Sequence, residues 1–369
     1  MSQPRMVFHH PHPVRAGAQT ASGVRPFRML EAFAALGYAV DAVVGTARER
    51  AQVIATVRAR LRAGEAYDFM YSESSTEPTL LTEPHHLPLH PTLDFGFMRQ
   101  LKAAGVPLGL FYRDVYWRFP GYGLNLPRWK RAAALWAYHH DLRQYRSLLD
   151  RLYLPSLPMS AYVPEIPIER VRALPPGHGG LAPVAARPRK SGEPLHLLYV
   201  GGMGANYPLH RLFEAVHQLP QLRLTVCTRE AEWRAVAAQY PLPEGERVRI
   251  VHASGSGLIP LYEMADVCVL FVQPQPYWTF AVPVKQFEYI GMGLPILASE
   301  GTLSGDFVRD HGVGWTLPYD TAALLLQLQH LVQTPDAVAA RRAQSLALAP
   351  HHSWLARSQQ VVSDLRRRV

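Results

Sequence analysis

Short apolar runs of strand length alternate with helical stretches along most of this chain, and that alternation leaves few folds open to it. Residues 5–9, 39–44, 68–72, 107–112 and 151–154 read as strands. Residues 25–36, 47–62, 95–104 and 128–149 read as helices, with Gly37 and Gly105 as stops. Strands that are apolar throughout need cover on both faces, so the pattern predicts a mostly parallel sheet flanked by helices. The rhythm then breaks, because residues 155–194 hold nine prolines, and this segment reads as crossover and linker. It resumes with strands at 195–200, 223–227, 247–251, 267–271, 295–298 and 314–317. Helices fall at 209–218, 230–239, 257–264, 284–292, 304–311, 321–333, 336–348 and 353–368.

A chain of 369 residues exceeds the size at which one core stops growing. The expectation is therefore an α/β protein with two Rossmann-like parallel-sheet domains: residues 1–160, a linker at 161–194, a second domain at 195–350 and a terminal helix at 351–369. Apolar residues at 48% and charged residues at 18% suit a compact protein rather than a disordered one. Cys227 and Cys268 lie in candidate buried strands and read as core residues rather than as a disulfide or metal ligands. The first residues lack a secretory pattern, and no apolar stretch approaches the roughly 18 residues of a membrane span. The expected location is cytoplasmic, with peripheral attachment at the inner face of the membrane left open.

The net charge of +9 is unevenly spread. Residues 95–155 carry ten Lys or Arg against three Asp or Glu, beside Tyr116, Trp117, Tyr122, Trp129, Trp136 and Tyr138. Such a surface suits an anionic membrane, with aromatics at the interface and cations on headgroups. The plainer reading is solvated helix faces over core aromatics. No nucleic-acid module accompanies the charge, so nucleic acid is not an expected partner.

Ligands of open α/β sheets bind outside the carboxyl ends of the strands, which directs attention to the loops there. In the second domain Gly201 and Gly202 follow such a strand, and their backbone N–H groups could approach a diphosphate. Arg229 follows the next strand as a phosphate cation or an ordinary surface residue. His252 opens the loop after the third as a structural or base-packing residue. The stretch at 283–295, PVKQFEYIGMGLP, starts a helix with Lys285 and Glu288 three residues apart and therefore on one face. A carboxylate there can accept both ribose hydroxyls while a lysine neutralises diphosphate oxygens; the alternative is a plain surface ion pair.

Residues 258–267 (LIPLYEMADV), followed by PVKQFEY at 283–289 and GLPI at 293–296, resemble the donor domain of GT-B glycosyltransferases, closest to the broad family 4 group. The resemblance covers residues 195–317. It implies the GT-B architecture of two Rossmann-like domains facing a cleft, with Glu288 on the donor ribose, Lys285 near its diphosphate and the terminal helix crossing back to the first domain. The implied activity is transfer of a sugar from a nucleoside diphosphate donor to a hydroxyl of a glycan or lipid-linked glycan, as in polysaccharide biosynthesis. The nucleotide sugar is then the donor substrate, and no cofactor or metal is expected.

By the same resemblance, the loop holding Gly23 and the segment Arg113, Asp114, Tyr116 and Trp117 face the acceptor. Asp114 is the preferred acidic residue, orienting the acceptor hydroxyl or taking its proton, and Glu73 is the rival base. Retaining members of that group carry two glutamates with seven residues between them. Here Glu288 holds the second position and Phe280 the first, which leaves the stereochemical outcome open. A nucleotide-sugar epimerase and a noncatalytic glycan or nucleotide-sugar binding protein are the competing readings.

Overall fold

The apolar strands are buried as their composition demands: Met6, Val7 and Phe8 in the first domain and Leu195, Leu197 and Leu198 in the second are almost without solvent exposure. The structure, a computed structural model, describes residues 3–17, 21–179, 182–185, 187–204, 207–243 and 245–366. It divides into two units, one formed by Met1–Pro175 with Trp354–Val369 and the other by Pro176–Ser353.

The first unit contains β1 (Arg5–His10), α1 (Ala21–Ala35), β2 (Ala39–Val44), α2 (Ala47–Arg62), β3 (Phe69–Glu73), α3 (Leu93–Ala103), β4 (Leu108–Phe111), α4 (Arg128–Leu148), β5 (Arg151–Leu154) and β6 (Val171–Ala173). Its six-stranded parallel sheet has the order β2-β1-β3-β4-β5-β6. The chain leaves β1 to one side for β2 and returns to the other for β3, so the carboxyl ends of β1 and β3 flank the switch point at which such sheets bind ligands. The helix Trp354–Leu365 packs on α1 and β4 of this unit. Leu365 lies so close over Gly109 that a Cβ there would meet its side chain at 2.6 Å. Gln360 Nε2 donates to the Ala173 carbonyl at 2.8 Å.

The second unit contains β7 (Leu195–Val200), α5 (His210–Gln218), β8 (Leu222–Cys227), α6 (Glu230–Val236), β9 (Val248–Val251), α7 (Ile259–Met264), β10 (Val267–Leu270), α8 (Val284–Gly291), β11 (Ile296–Ser299), α9 (Leu303–His311), β12 (Gly314–Leu317), α10 (Thr321–Gln333) and α11 (Pro335–Leu348). Its parallel sheet runs β12-β11-β10-β7-β8-β9, with the switch point between β7 and β10. Local signals place the ends of its helices. Thr302 accepts from the Gly305 amide at 3.0 Å to start α9, and Gly312 in the left-handed conformation ends it.

Residues 161–194, expected as linker, are built into the two units. Through Pro175 the segment belongs to the first unit, where Met159, Val163, Ile166 and Leu174 are buried and β6 pairs with β5. Prolines there flank short 3-10 turns rather than mark free chain: Pro158 begins one and Pro167 precedes another. Beyond it the segment is stitched to the second unit, with the His178 amide donating to the His352 carbonyl at 2.9 Å and the Val184 amide to that of Met292 at 3.2 Å. Helix α1 starts at residue 21, earlier than the expected 25, and carries Pro26 within it.

Candidate functional site

In the second unit the carboxyl ends of β7, β8 and β9 bring three loops together beside the start of α8. The glycine loop after β7 is shaped from behind by Tyr199, whose hydroxyl donates to the Gly202 carbonyl at 2.6 Å. Gly201 is required by that contact, since a Cβ there would lie 2.8 Å from the Tyr199 hydroxyl. Tyr289 pins α8 to the same strand, its hydroxyl accepting from the Val200 amide at 2.9 Å. Glu288 immediately precedes Tyr289 on this helix.

Lys285 and Glu288 form a side-chain ion pair, and both are about a quarter exposed, at 27% and 28%. The Tyr262 hydroxyl of α7 donates to Glu288 Oε2 at 3.0 Å. Burial, with the Glu288 charge next, holds the Tyr262 phenol well above its ordinary range, so it stays a donor. Sequence reasoning missed Tyr262, although it stands inside the LIPLYEMADV stretch. It turns a surface pair into a carboxylate of fixed orientation. After β8, Arg229 is exposed and pairs with Glu232. Glu232 Oε2 also accepts from the Met203 amide at 3.1 Å and from the Thr228 hydroxyl at 3.4 Å, so the glycine loop, Arg229 and α6 meet on one carboxylate. His252 is exposed and has Nδ1 2.7 Å from the Thr228 carbonyl, a geometry for an Nδ1–H donor that ties the β9 loop to the β8 loop. Gly201, Gly202, Arg229, His252, Lys285 and Glu288 thus fall at one edge of one sheet.

In the first unit His10 at the end of β1 is buried, with Nδ1 3.0 Å from the His12 carbonyl oxygen. Burial lowers its pKa to about 3 and also lowers that of His12, so both rings are neutral near pH 7. A cavity of about 280 Å³ is lined by His10, His12, Gly23, Ser75, Glu77 and Arg113. It lies at the switch point of this sheet and contains two of the expected acceptor residues, Gly23 and Arg113.

Asp114 follows Arg113, its Oδ1 accepting from the amides of Val115 at 2.6 Å and Tyr116 at 3.0 Å. Burial raises its carboxyl pKa to about 6 against the pull of those two amides and of Arg113. Such a group is ionised near neutral pH yet more basic than an ordinary aspartate, which suits it to receive a proton.

Two residues take different roles from those expected. Glu73 is fully buried, accepting from Arg25 Nε at 3.2 Å, from Arg113 Nη2 at 3.4 Å and from the Tyr71 hydroxyl at 2.9 Å. A carboxylate enclosed by two guanidiniums and a phenol balances buried charge and is not presented to a substrate as a base. Trp117 is also buried: its indole N–H donates to the Tyr112 hydroxyl at 2.8 Å and its ring stacks on Tyr138 at 4.9 Å. It packs α4 onto the segment after β4, whereas Tyr116 is 45% exposed. His9 serves the fold as well, between the Ser72 hydroxyl at 2.8 Å and Asp94 at 2.9 Å, with Arg50 on the same carboxylate.

Comparison with known proteins bears on the fold and on the second unit. The family model described as Glycosyl transferases group 1 matches residues 194–334, which includes the whole sheet edge just described. No curated protein sequence matches the chain. Solved structures do, at low identity. Sucrose-phosphate synthase from Thermosynechococcus elongatus is 17% identical with a TM-score of 0.62, covering 98% of each chain. HepE from Anabaena, in complex with UDP-glucose, is 12% identical with a TM-score of 0.62, covering 98% of this chain and 99% of that one. An alpha,alpha-trehalose-phosphate synthase (UDP-forming) from Burkholderia vietnamiensis is 12% identical with a TM-score of 0.59, covering 99% of each. The two parallel sheets and their switch points give the chain the GT-B fold, and within its second unit residues 194–334 match the group 1 glycosyltransferase domain.

Proposed function

We propose that this enzyme transfers a sugar from a nucleoside diphosphate donor to a hydroxyl of a glycan or glycolipid. The observation that carries the reading is Glu288, held by Tyr262 and Lys285 at the sheet edge that also bears the glycine loop. Its carboxylate accepts the ribose hydroxyls of the donor, Lys285 and Arg229 neutralise the diphosphate, and loop amides supply further donors as charge grows on the departing group. UDP is the reasonable first probe, because HepE was solved with UDP-glucose and with UDP. In the first unit the cavity beside His10, His12 and Arg113 takes the acceptor, and Asp114 orients the reacting hydroxyl or takes its proton.

The acceptor reading extends to a membrane surface for the first unit. Trp129 and Trp136 on α4 are 69% and 59% exposed, and Arg128 and Lys130 beside them are exposed as well. Aromatic rings and cations presented outward together suit an anionic bilayer bearing a lipid-linked acceptor.

The test of the donor site is calorimetric binding of UDP to the wild type and to Glu288→Ala. Loss of charge-assisted hydrogen bonds to the ribose should weaken binding by about ten-fold or more, with the thermal unfolding curve little changed. Equal affinity in the two proteins would remove Glu288 from the donor site.

A further inference from the structure

The donors that would hold a diphosphate are already engaged by a carboxylate of the chain itself. Glu232 Oε2 lies 3.1 Å from the Met203 amide nitrogen and 3.4 Å from the Thr228 hydroxyl, and Oε1 receives Arg229. The approach to the loop is close, for a Cβ on Gly202 would stand 3.2 Å from the same Oε2. An amide, a hydroxyl and a guanidinium converging on two oxygens form the donor set that reads a phosphate, and here one anion fills it from within. The loop is supported independently of Glu232 by the Tyr199 hydroxyl on the Gly202 carbonyl, and the Gly201 amide donates to the Cys227 carbonyl at 3.0 Å. The glycine loop therefore does not need the glutamate to keep its place. Glu232 is 26% exposed on its side chain, which leaves it a path to solvent.

We propose that Glu232 is an internal anion that occupies the phosphate seat of the glycine loop and is displaced when a nucleoside diphosphate binds. This rests on the reading of that loop as part of the donor site. Displacement has a consequence for selectivity. A ligand must bring enough negative charge to replace the carboxylate on the Met203 amide and Arg229, so diphosphates displace it whereas a bare nucleoside has nothing to put in its place. The affinity measured for a diphosphate is the intrinsic affinity multiplied by the fraction of molecules in which the seat is open.

The experiment compares UDP and uridine binding by calorimetry to the wild type, Glu232→Gln, Glu232→Ala and Glu288→Ala, with thermal unfolding of each as a check on folding. Glu232→Gln keeps an acceptor for the Met203 amide and removes the charge. UDP affinity should rise about five-fold or more in this variant and in Glu232→Ala, while uridine affinity stays unchanged. Glu288→Ala should lower the affinity for UDP. If Glu288→Ala weakens UDP binding but both Glu232 variants bind UDP equally or more weakly than the wild type, Glu232 only braces the loop and the inference is overturned. If Glu288→Ala binds UDP unchanged, the donor-site reading falls and this inference falls with it.

Discussion

Asp114 shows how a buried carboxylate can be costly to the fold that holds it. Its pKa is raised from the ordinary 3.8 to about 6 by burial, so the folded protein binds that proton more tightly than the unfolded chain. The sign of the linkage follows. Folding is unpenalised below the ordinary carboxyl value and loses stability as pH rises from there through about 6, as the folded carboxyl is forced to ionise. Asp114→Asn should therefore stabilise the protein by about 1–3 kcal/mol above pH 7 and by nothing measurable below pH 4, read from urea unfolding across pH. The same variant should lower sugar transfer much more than UDP affinity, and the acid limb near pH 6 in the wild-type rate profile should vanish. An unchanged turnover would remove Asp114 from the chemistry. The sequence pointed to this residue because it follows a strand at the ligand-binding edge. It gave no means of separating Asp114 from Glu73, because only packing reveals that Arg25, Arg113 and Tyr71 enclose the latter.

At the scale of elements, every strand but β6 was legible, because apolar runs of strand length between helical stretches have few other homes in a chain of this kind, whereas β6 lies in the proline-rich stretch that reads as linker. Proline was the less dependable signal. In residues 155–175 it reads as linker, yet the buried Val163, Ile166 and Leu174 fix that stretch to the first unit. Helix α4 illustrates a related ambiguity, since its aromatics look alike in sequence but divide sharply in space. Tyr138 is buried against Trp117, while Trp129 and Trp136 face outward, with Leu124 and Leu126 exposed just before the helix. If this face meets a membrane, replacing Arg128 and Lys130 by Gln together with Trp129 and Trp136 by Ala should cut sedimentation with vesicles containing anionic lipid. Binding to neutral vesicles should be weak throughout. Equal sedimentation of the variant and the wild type would leave α4 as an ordinary solvated helix.

For the molecule as a whole, two parallel sheets with separate cores and separate switch points leave room for separable tasks, which the proposal assigns as a donor edge on the second unit and an acceptor cavity on the first. That Lys285, Glu288 and the glycines gather at one sheet edge was readable from spacing and order along the chain, because each is close to the element that positions it. The contacts of Tyr262 and Glu232 with that edge were not readable, because each is made to a partner distant in sequence: Tyr262 with Glu288 and Glu232 with the Met203 amide. The most direct test of the central claim is mass spectrometry of the products formed when the purified enzyme is given nucleoside diphosphate sugars and a panel of glycan and lipid-linked glycan acceptors. The account predicts an acceptor that gains the mass of one sugar as nucleoside diphosphate is released, with the gain suppressed by Glu288→Ala. Formation of that product at the same rate by Glu288→Ala, or binding of nucleotide sugar with no transfer to any acceptor tested, would contradict it.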